Sequence, residues 1–155
     1  MSKEEFMREA LNEAMLAQDT GEVPIGAVIV KDGIIIGRGH NLTETTKDST
    51  NHSEIIAIRD AERELGGWRL SGCEMYVTLE PCSMCAGAIV LSRLDKVYIG
   101  TMDPKTGACG SLMNILQDER LNHFVEIETS ILEEQCQKIL KEFFINIRNQ
   151  SGRKK

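Results

Sequence analysis

Apolar positions along the chain fall into short runs that alternate between two periods. From Lys3 to Gln18, Phe6, Met7, Ala10, Leu11, Ala14 and Met15 recur every three or four residues, the stripe of an amphipathic helix. Pro24 bounds the next element. Ile25 to Val30 and Ile34 to Gly39 are short β-prone runs joined at Asp32-Gly33, a dipeptide that predicts a tight hairpin because such turns need positive φ. A loop from Asn41 to Asn51 follows. Ile55, Ile58, Ala61 and Leu65 then return to helical spacing, with Gly66-Gly67 as the stop.

Glu74 to Glu80 (EMYVTLE) has the composition of a buried strand, and Pro81 stands where a helix begins, continued by Met84, Ala88 and Leu91. Lys96 to Gly100 predicts a strand, Ser111 to Gln117 a short helix and Phe124 to Thr129 another strand. In the last predicted helix, Leu132 to Arg148, an inner face is formed by Leu132, Cys136, Ile139, Leu140, Phe143 and Ile147. The order α-β-β-α-β-α-β-α-β-α implies an α/β fold with about five strands covered by helices on both sides. No repeat or linker divides the sequence, so residues 1–155 are expected to form one domain.

With 41% hydrophobic and 27% charged residues the composition suits a globular chain, and no apolar run approaches the ~20 residues of a membrane span. The first residues mix acidic and apolar side chains, unlike a signal peptide, so a cytoplasmic location is expected. Five cysteines, an odd number, fit reduced thiols or metal ligands better than disulfides. A net charge of −6 argues against a generally cationic, nucleic-acid-coating surface. Ile131 to Lys155 alone is +3, which leaves −9 for the rest; this segment fits a solvated helix with a basic end.

Two segments about thirty residues apart carry candidate chemistry: Asn51-His52-Ser53-Glu54 and Glu80-Pro81-Cys82-Ser83-Met84-Cys85. Each opens a predicted helix. Cys82 and Cys85 are spaced to share the first helical turn, beside unpaired N–H groups and the positive end of the helix dipole, which favours the thiolates that bind zinc. His52 supplies a third ligand. Glu54 lies near enough to share the site without being held by the metal. Three protein ligands leave a coordination position for water, the mark of a catalytic rather than structural zinc site. Cys73, Cys109, Cys136, His40 and His123 stand at no ligand-like spacing from the cluster and are expected to be structural. A thioredoxin-like redox pair is the alternative for C-x-x-C alone, but it has no use for H-x-E upstream, and the conjunction H-x-E…P-C-x-x-C is typical of zinc deaminases.

On these motifs the sequence resembles the cytidine and deoxycytidylate deaminase superfamily, and within it the branch acting on adenosine in tRNA. The likeness extends to GEVPIGAVIV, Asn41, YVTLEPCSMCAGAIVLSR, DPKTGACGS, LNH at 121–123 and Phe143-Phe144. The resemblance implies a three-layer α-β-α fold with a five-stranded mixed sheet between helices, and one Zn2+ per subunit. It also implies hydrolysis of the wobble adenosine of an arginine tRNA to inosine, in a homodimer where each anticodon stem-loop touches both subunits. Carried onto this chain, Asn41 would hydrogen-bond the purine, and Val23, Pro24 and Ile25 would line the base pocket. Asp103 and Lys105 would contact RNA near the flipped nucleotide, while Phe143, Phe144 and the basic end would hold the stem-loop. Glu54 would move protons and the Cys82 N–H would donate to the developing oxyanion.

The pattern departs from the family at Asn51 and Ser53, where small or apolar residues are usual. A backbone-only contact at position 53 leaves purine preference untouched; a packing contact by the usual methyl group does not. Two other readings are weighed: a free-base or nucleoside deaminase of the guanine or cytosine type on the same fold, and a non-catalytic zinc-containing RNA-binding module. The acidic balance leads us to expect a modest basic groove at the dimer interface for the RNA.

Overall fold

The computed structural model describes residues 1–154, with side chains through Gln150; the basic side chains of Arg153, Lys154 and Lys155 lie outside the described residues. In chain order the elements are α1 (Lys3–Asp19), β1 (Gly26–Lys31), β2 (Ile34–His40), α2 (Thr43–Thr46), α3 (Ser53–Leu65), β3 (Cys73–Leu79), α4 (Ser83–Leu91), β4 (Lys96–Thr101), a 3-10 turn (Ile115–Gln117), β5 (Glu126–Glu128) and α5 (Glu133–Lys154). The strands form one mixed sheet in the order β2-β1-β3-β4-β5. β1 runs antiparallel to β2 and β3, whereas β3, β4 and β5 are parallel.

Alternation along the strands decides which helix covers which face. Ala27 and Ile29 of β1, Met75 and Val77 of β3, and Val97 and Ile99 of β4 pack with Ala57, Ile58 and Ala61 of α3 and Ala86, Ile89 and Val90 of α4. Their intervening neighbours Val28, Val30, Tyr76 and Tyr98 turn to the opposite face, against Phe6, Met7, Ala10 and Leu11 of α1 and Cys136 of α5. The result is the expected three-layer α-β-α arrangement. Tyr76 and Tyr98 stack with ring centroids 4.3 Å apart on the second face.

The Asp32-Gly33 turn has positive φ at both residues, 51° and 76°, as its composition predicts. A second glycine requirement comes from packing. A Cβ on Gly39 would lie 2.3 Å from the Ser53 carbonyl oxygen and 2.6 Å from the Ala57 nitrogen, so only glycine lets the start of α3 settle against β2.

Several boundaries and faces differ from the sequence expectation. Met15 is 46% exposed, while Glu13 and Ala17 are buried on the α1 face instead. Glu13 tolerates burial because His40 and Arg38 pair with its carboxylate, at 3.0 and 3.6 Å. The expected loop after Asn41 contains α2, held by the buried Glu22, whose carboxylate accepts from Thr45 N and Thr45 Oγ1, both at 2.6 Å, and Glu44 N at 3.2 Å. The expected helix at 111–117 contracts to a 3-10 turn, and the fifth strand to three residues. Met84, Ala88 and Leu91 continue the helical period of α4, but its buried face is Cys85, Ala86, Ile89 and Val90, while Leu91 is 70% exposed. This helix is apolar nearly all round, so periodicity did not distinguish its faces.

The close approach at Gly39 generates a stability test. Gly39→Ala is expected to lower unfolding free energy by about 1–3 kcal/mol in urea titrations, because the opposing atoms are backbone and have no rotamer to retreat into. Gly67→Ala, with nothing within 4 Å of the added methyl, serves as the control and should be nearly neutral.

Candidate metal-centred active site

Strand direction gathers the candidate residues at one end of the sheet. Because β1 is antiparallel to its neighbours, its N-terminal approach (Val23 and Ile25) lies beside the C-terminal ends of β2 (Asn41), β3 (Leu79 and Glu80) and β4 (Met102). α3 and α4 begin at this same end. Their N-cap residues are His52 and Cys82, each with extended backbone (ψ 155° and 178°) and neither using its side chain to cap its own helix. Both side chains are therefore free to meet, and Cys85 joins them from the first turn of α4.

The ligand atoms of His52, Cys82 and Cys85 all lie within 4.8 Å of one another. His52 Nδ1 is 3.6 Å from each sulfur. Tetrahedral zinc with Zn–N near ~2.0 Å and Zn–S near ~2.3 Å places nitrogen and sulfur about 3.5 Å apart, so the donor set fits the ion in identity and in span. No other group of three or more such side chains is close enough to hold a metal among the described residues. His40 is engaged with Glu13, and His123 Nε2 contacts the Leu94 carbonyl at 2.7 Å. Cys73 and Cys136 are buried away from the cluster, and Cys109, with its Sγ 3.9 Å from the Pro81 carbonyl, is buried beside it without joining it.

The electrostatics of the cluster favour a thiolate. Cys82 is held down at about 4 by the hydrogen bond from Cys85, then by its bond with His52, against the opposing effect of burial. Cys85, as the donor, is pushed up by that bond and by burial. His52 is raised, first by its hydrogen bond with Cys82. A cation held by these three side chains would take the place of the proton they share.

Glu54 lies 4% exposed beside the cluster, and burial raises its pKa. One carboxylate oxygen, Oε1, accepts from the Ser53 hydroxyl at 2.5 Å. A carboxyl group biased toward its protonated form is suited to taking up a proton and returning it. Ser53 itself is fully buried and absent from the cleft lining: its N–H donates to Asn41 Oδ1 at 3.2 Å and its hydroxyl turns to Glu54. The Asn41 amide oxygen is thereby engaged, leaving its NH2 as the donor available to the cleft.

Above the cluster is a cavity of about 870 Å3 lined by Val23, Ile25, Asn41, His52, Glu54 and Cys82, by Met102 to Thr106, and by one wall of α5. Asp103 and Lys105 both line it, but the Asp103 carboxylate bonds within its own loop, to the N–H groups of Lys105 and Thr106 and to the Thr106 hydroxyl. Phe144 lines the cavity. Phe143, only 8% exposed, and Pro24, buried, do not. Leu140, Ile147 and Arg148 join Phe144 on the cleft side of α5, a helical stripe that the sequence reading divided between core and surface. Ile147, on the inner face by its period, is 43% exposed because it lines the open cleft. Glu80 was also missed as a separate contributor; a lone acid ending an apolar strand was its signal.

Comparison with known proteins follows the same lines. Residues 1–148 match the family model for MafB19-like deaminases. The chain is 54% identical over 143 residues to a tRNA-specific adenosine deaminase of Bacillus subtilis, covering 92% of this chain and 89% of that protein. A solved structure from a study of A-to-I editing by tRNA:A34 deaminases at the transfer RNA wobble position superposes with a TM-score of 0.85 at 43% identity, covering 88% of this chain and 99% of that one. A guanine deaminase from Bacillus subtilis superposes less completely, with a TM-score of 0.63 and 41% identity over 66% of each chain.

Elemental analysis checks the donor set. The purified chain should carry about one divalent ion, His52→Ala should lose most of it, and Glu54→Gln should retain it, because the carboxylate is no ligand. Full metal content in His52→Ala, or loss in Glu54→Gln, contradicts the three-ligand assignment.

Proposed function

The chain belongs to the MafB19-like deaminase family, and from that premise we propose that it hydrolyses adenosine to inosine at the wobble position of an arginine tRNA anticodon. One observation carries the reading: a buried, unligated carboxylate stands beside a three-ligand cluster at the floor of a large cleft. We read the cluster as the site of one Zn2+ per subunit, held by His52, Cys82 and Cys85. When bound there, the ion supplies Lewis acidity that makes water a nucleophile near neutral pH.

The protein's own groups do the rest. Glu54 takes a proton from the attacking water and delivers it to N1 of the adenine ring, then takes the remaining proton from the new C6 hydroxyl and passes it to the departing amine, so one water is consumed and one ammonia leaves. Ser53 holds Oε1 of that carboxylate and so orients the group for proton transfer. The NH2 of Asn41 reads the purine edge, and Val23 and Ile25 provide apolar wall against the ring. Pro24 stiffens the backbone between them. Lys105, Phe144 and Arg148 line the route by which neighbouring nucleotides enter, and Phe143 anchors α5 beneath Phe144 at a ring distance of 5.4 Å. Asp103 shapes the loop that presents Lys105. With its Oγ turned to Glu54, Ser53 contributes to the site through its neighbours, which is compatible with purine preference.

The cleft is far roomier than a lone purine needs, and its α5 wall favours a polynucleotide over the free-base reading. A non-catalytic RNA-binding module has no use for Glu54. We read residues 1–155 as one deaminase domain working in the cytoplasm; no helix among the described residues is long and apolar enough to cross a membrane. The outward faces of α3 and α4 support a homodimer. Leu91 of α4 and Trp68, in the segment after α3, are 70% and 53% exposed and line a shallow depression with Ile55, Ile58 and Ala88. The guanidinium groups of Arg69 and Arg93 rim the indole at 4.8 and 5.9 Å.

Incubation of an anticodon stem-loop with the protein, followed by nucleoside analysis, should yield inosine, and a chelator should abolish it. Glu54→Gln should lower turnover by roughly 10²-fold or more, the scale of a lost general acid-base; near-normal turnover in the metal-replete variant removes Glu54 from its role. In sedimentation the parent chain should run as a dimer and Leu91→Asp as a monomer. A monomeric parent refutes the interface.

A further inference from the structure

Two glutamates with nearly complete burial line the cleft, and their hydrogen bonding divides their roles. Glu54 has one oxygen engaged by a neighbouring side chain. Glu80, 3% exposed at the end of β3, has none to spare. Its Oε1 accepts from the Asp103 N–H at 2.8 Å and from the Ser111 hydroxyl; its Oε2 accepts from the N–H groups of Cys109 and Ser111, both at 3.0 Å. Four donors occupy the about four acceptor positions that a carboxylate offers. Such a group has no lone pair left for a substrate proton, and its buried charge is stabilised by charge-assisted bonds.

All four donors belong to one loop. Residues 102–111 supply the cleft wall formed by Met102, Asp103, Pro104, Lys105 and Thr106, then turn back to Ser111. Gly107 lies directly over the carboxylate, where an added Cβ would fall 2.2 Å from Glu80 Cδ. The Ala108 N–H donates to the Pro81 carbonyl at 2.9 Å, so the loop is also tied to the residue before Cys82. A single side chain thus fixes the shape of the substrate wall relative to the metal-holding start of α4.

We propose that Glu80 is a positioning residue whose carboxylate holds the 102–111 loop in the form that receives RNA, and so sets affinity for the substrate rather than the rate of the chemical step. The proposal rests on the deaminase reading of the cleft. Glu80→Gln turns one acceptor into an NH2 that faces other donors; Ser111→Ala removes one donor and keeps the carboxylate. The experiment measures KM and kcat on an anticodon stem-loop, metal content, and hydrogen exchange at the amides of 103, 109 and 111. Glu80→Gln should raise KM about tenfold or more, with a smaller change in kcat and metal retained, and should speed exchange at those amides while β3 and β4 stay protected. Ser111→Ala should move KM and exchange in the same direction by less, and it decides the matter if Glu80→Gln fails to fold.

Unchanged KM together with parental loop exchange overturns the proposal, as does a loss confined to kcat, which would make Glu80 a chemical participant. The exchange readout needs no turnover. A parent chain that forms no inosine defeats the deaminase reading, while loop exchange separately reports whether Glu80 holds the wall.

Discussion

The structure depends on bringing two helix beginnings to one point. α3 and α4 start side by side at the same end of the sheet, and the N-cap of each is a candidate metal ligand whose side chain is left uncommitted by its own helix. Neither cap satisfies backbone N–H groups in the usual way, so both ends sacrifice some helix stability to point an imidazole and a thiolate at each other. What permits the approach is packing on the sheet: Gly39 lets α3 sit against β2, and the parallel β3-α4-β4 crossover sets α4 beside it.

Around that point, buried carboxylates do separate work. Glu13 and Glu22 are ion-paired or hydrogen-bonded within the α1-β2-α2 region, Glu80 is saturated by a loop, and Glu54 adjoins the candidate metal ligands with the Ser53 hydroxyl on its Oε1. Burial costs each of them solvation, which their hydrogen-bond partners offset in part. At Glu54 burial raises the pKa, which suits a group that takes up and returns a proton.

Much of this was legible in the sequence because local rules applied. Asp32-Gly33 gave the hairpin, the period of α3 gave Ile58 and Ala61 of its buried face, and the H-x-E and P-C-x-x-C spacings identified the cluster now seen within 4.8 Å. The less legible parts depend on tertiary partners. Met15 falls on the apolar stripe by period, but α1 turns Ala17 inward, and α4 is too uniformly apolar for its period to declare a face. Glu80 drew no role because its four donors lie 23 to 31 residues further along the chain. Ser53 offered two readings until its hydroxyl was seen to turn to Glu54.

The central claim is that three protein atoms, one nitrogen and two sulfurs, hold the metal and that the remaining coordination belongs to solvent or substrate. Zinc K-edge X-ray absorption of the metal-loaded protein tests it most directly. The account predicts a shell of two sulfurs near ~2.3 Å and two lighter atoms near ~2.0 Å, with a single imidazole contribution. A third sulfur or a second imidazole in that shell would contradict it.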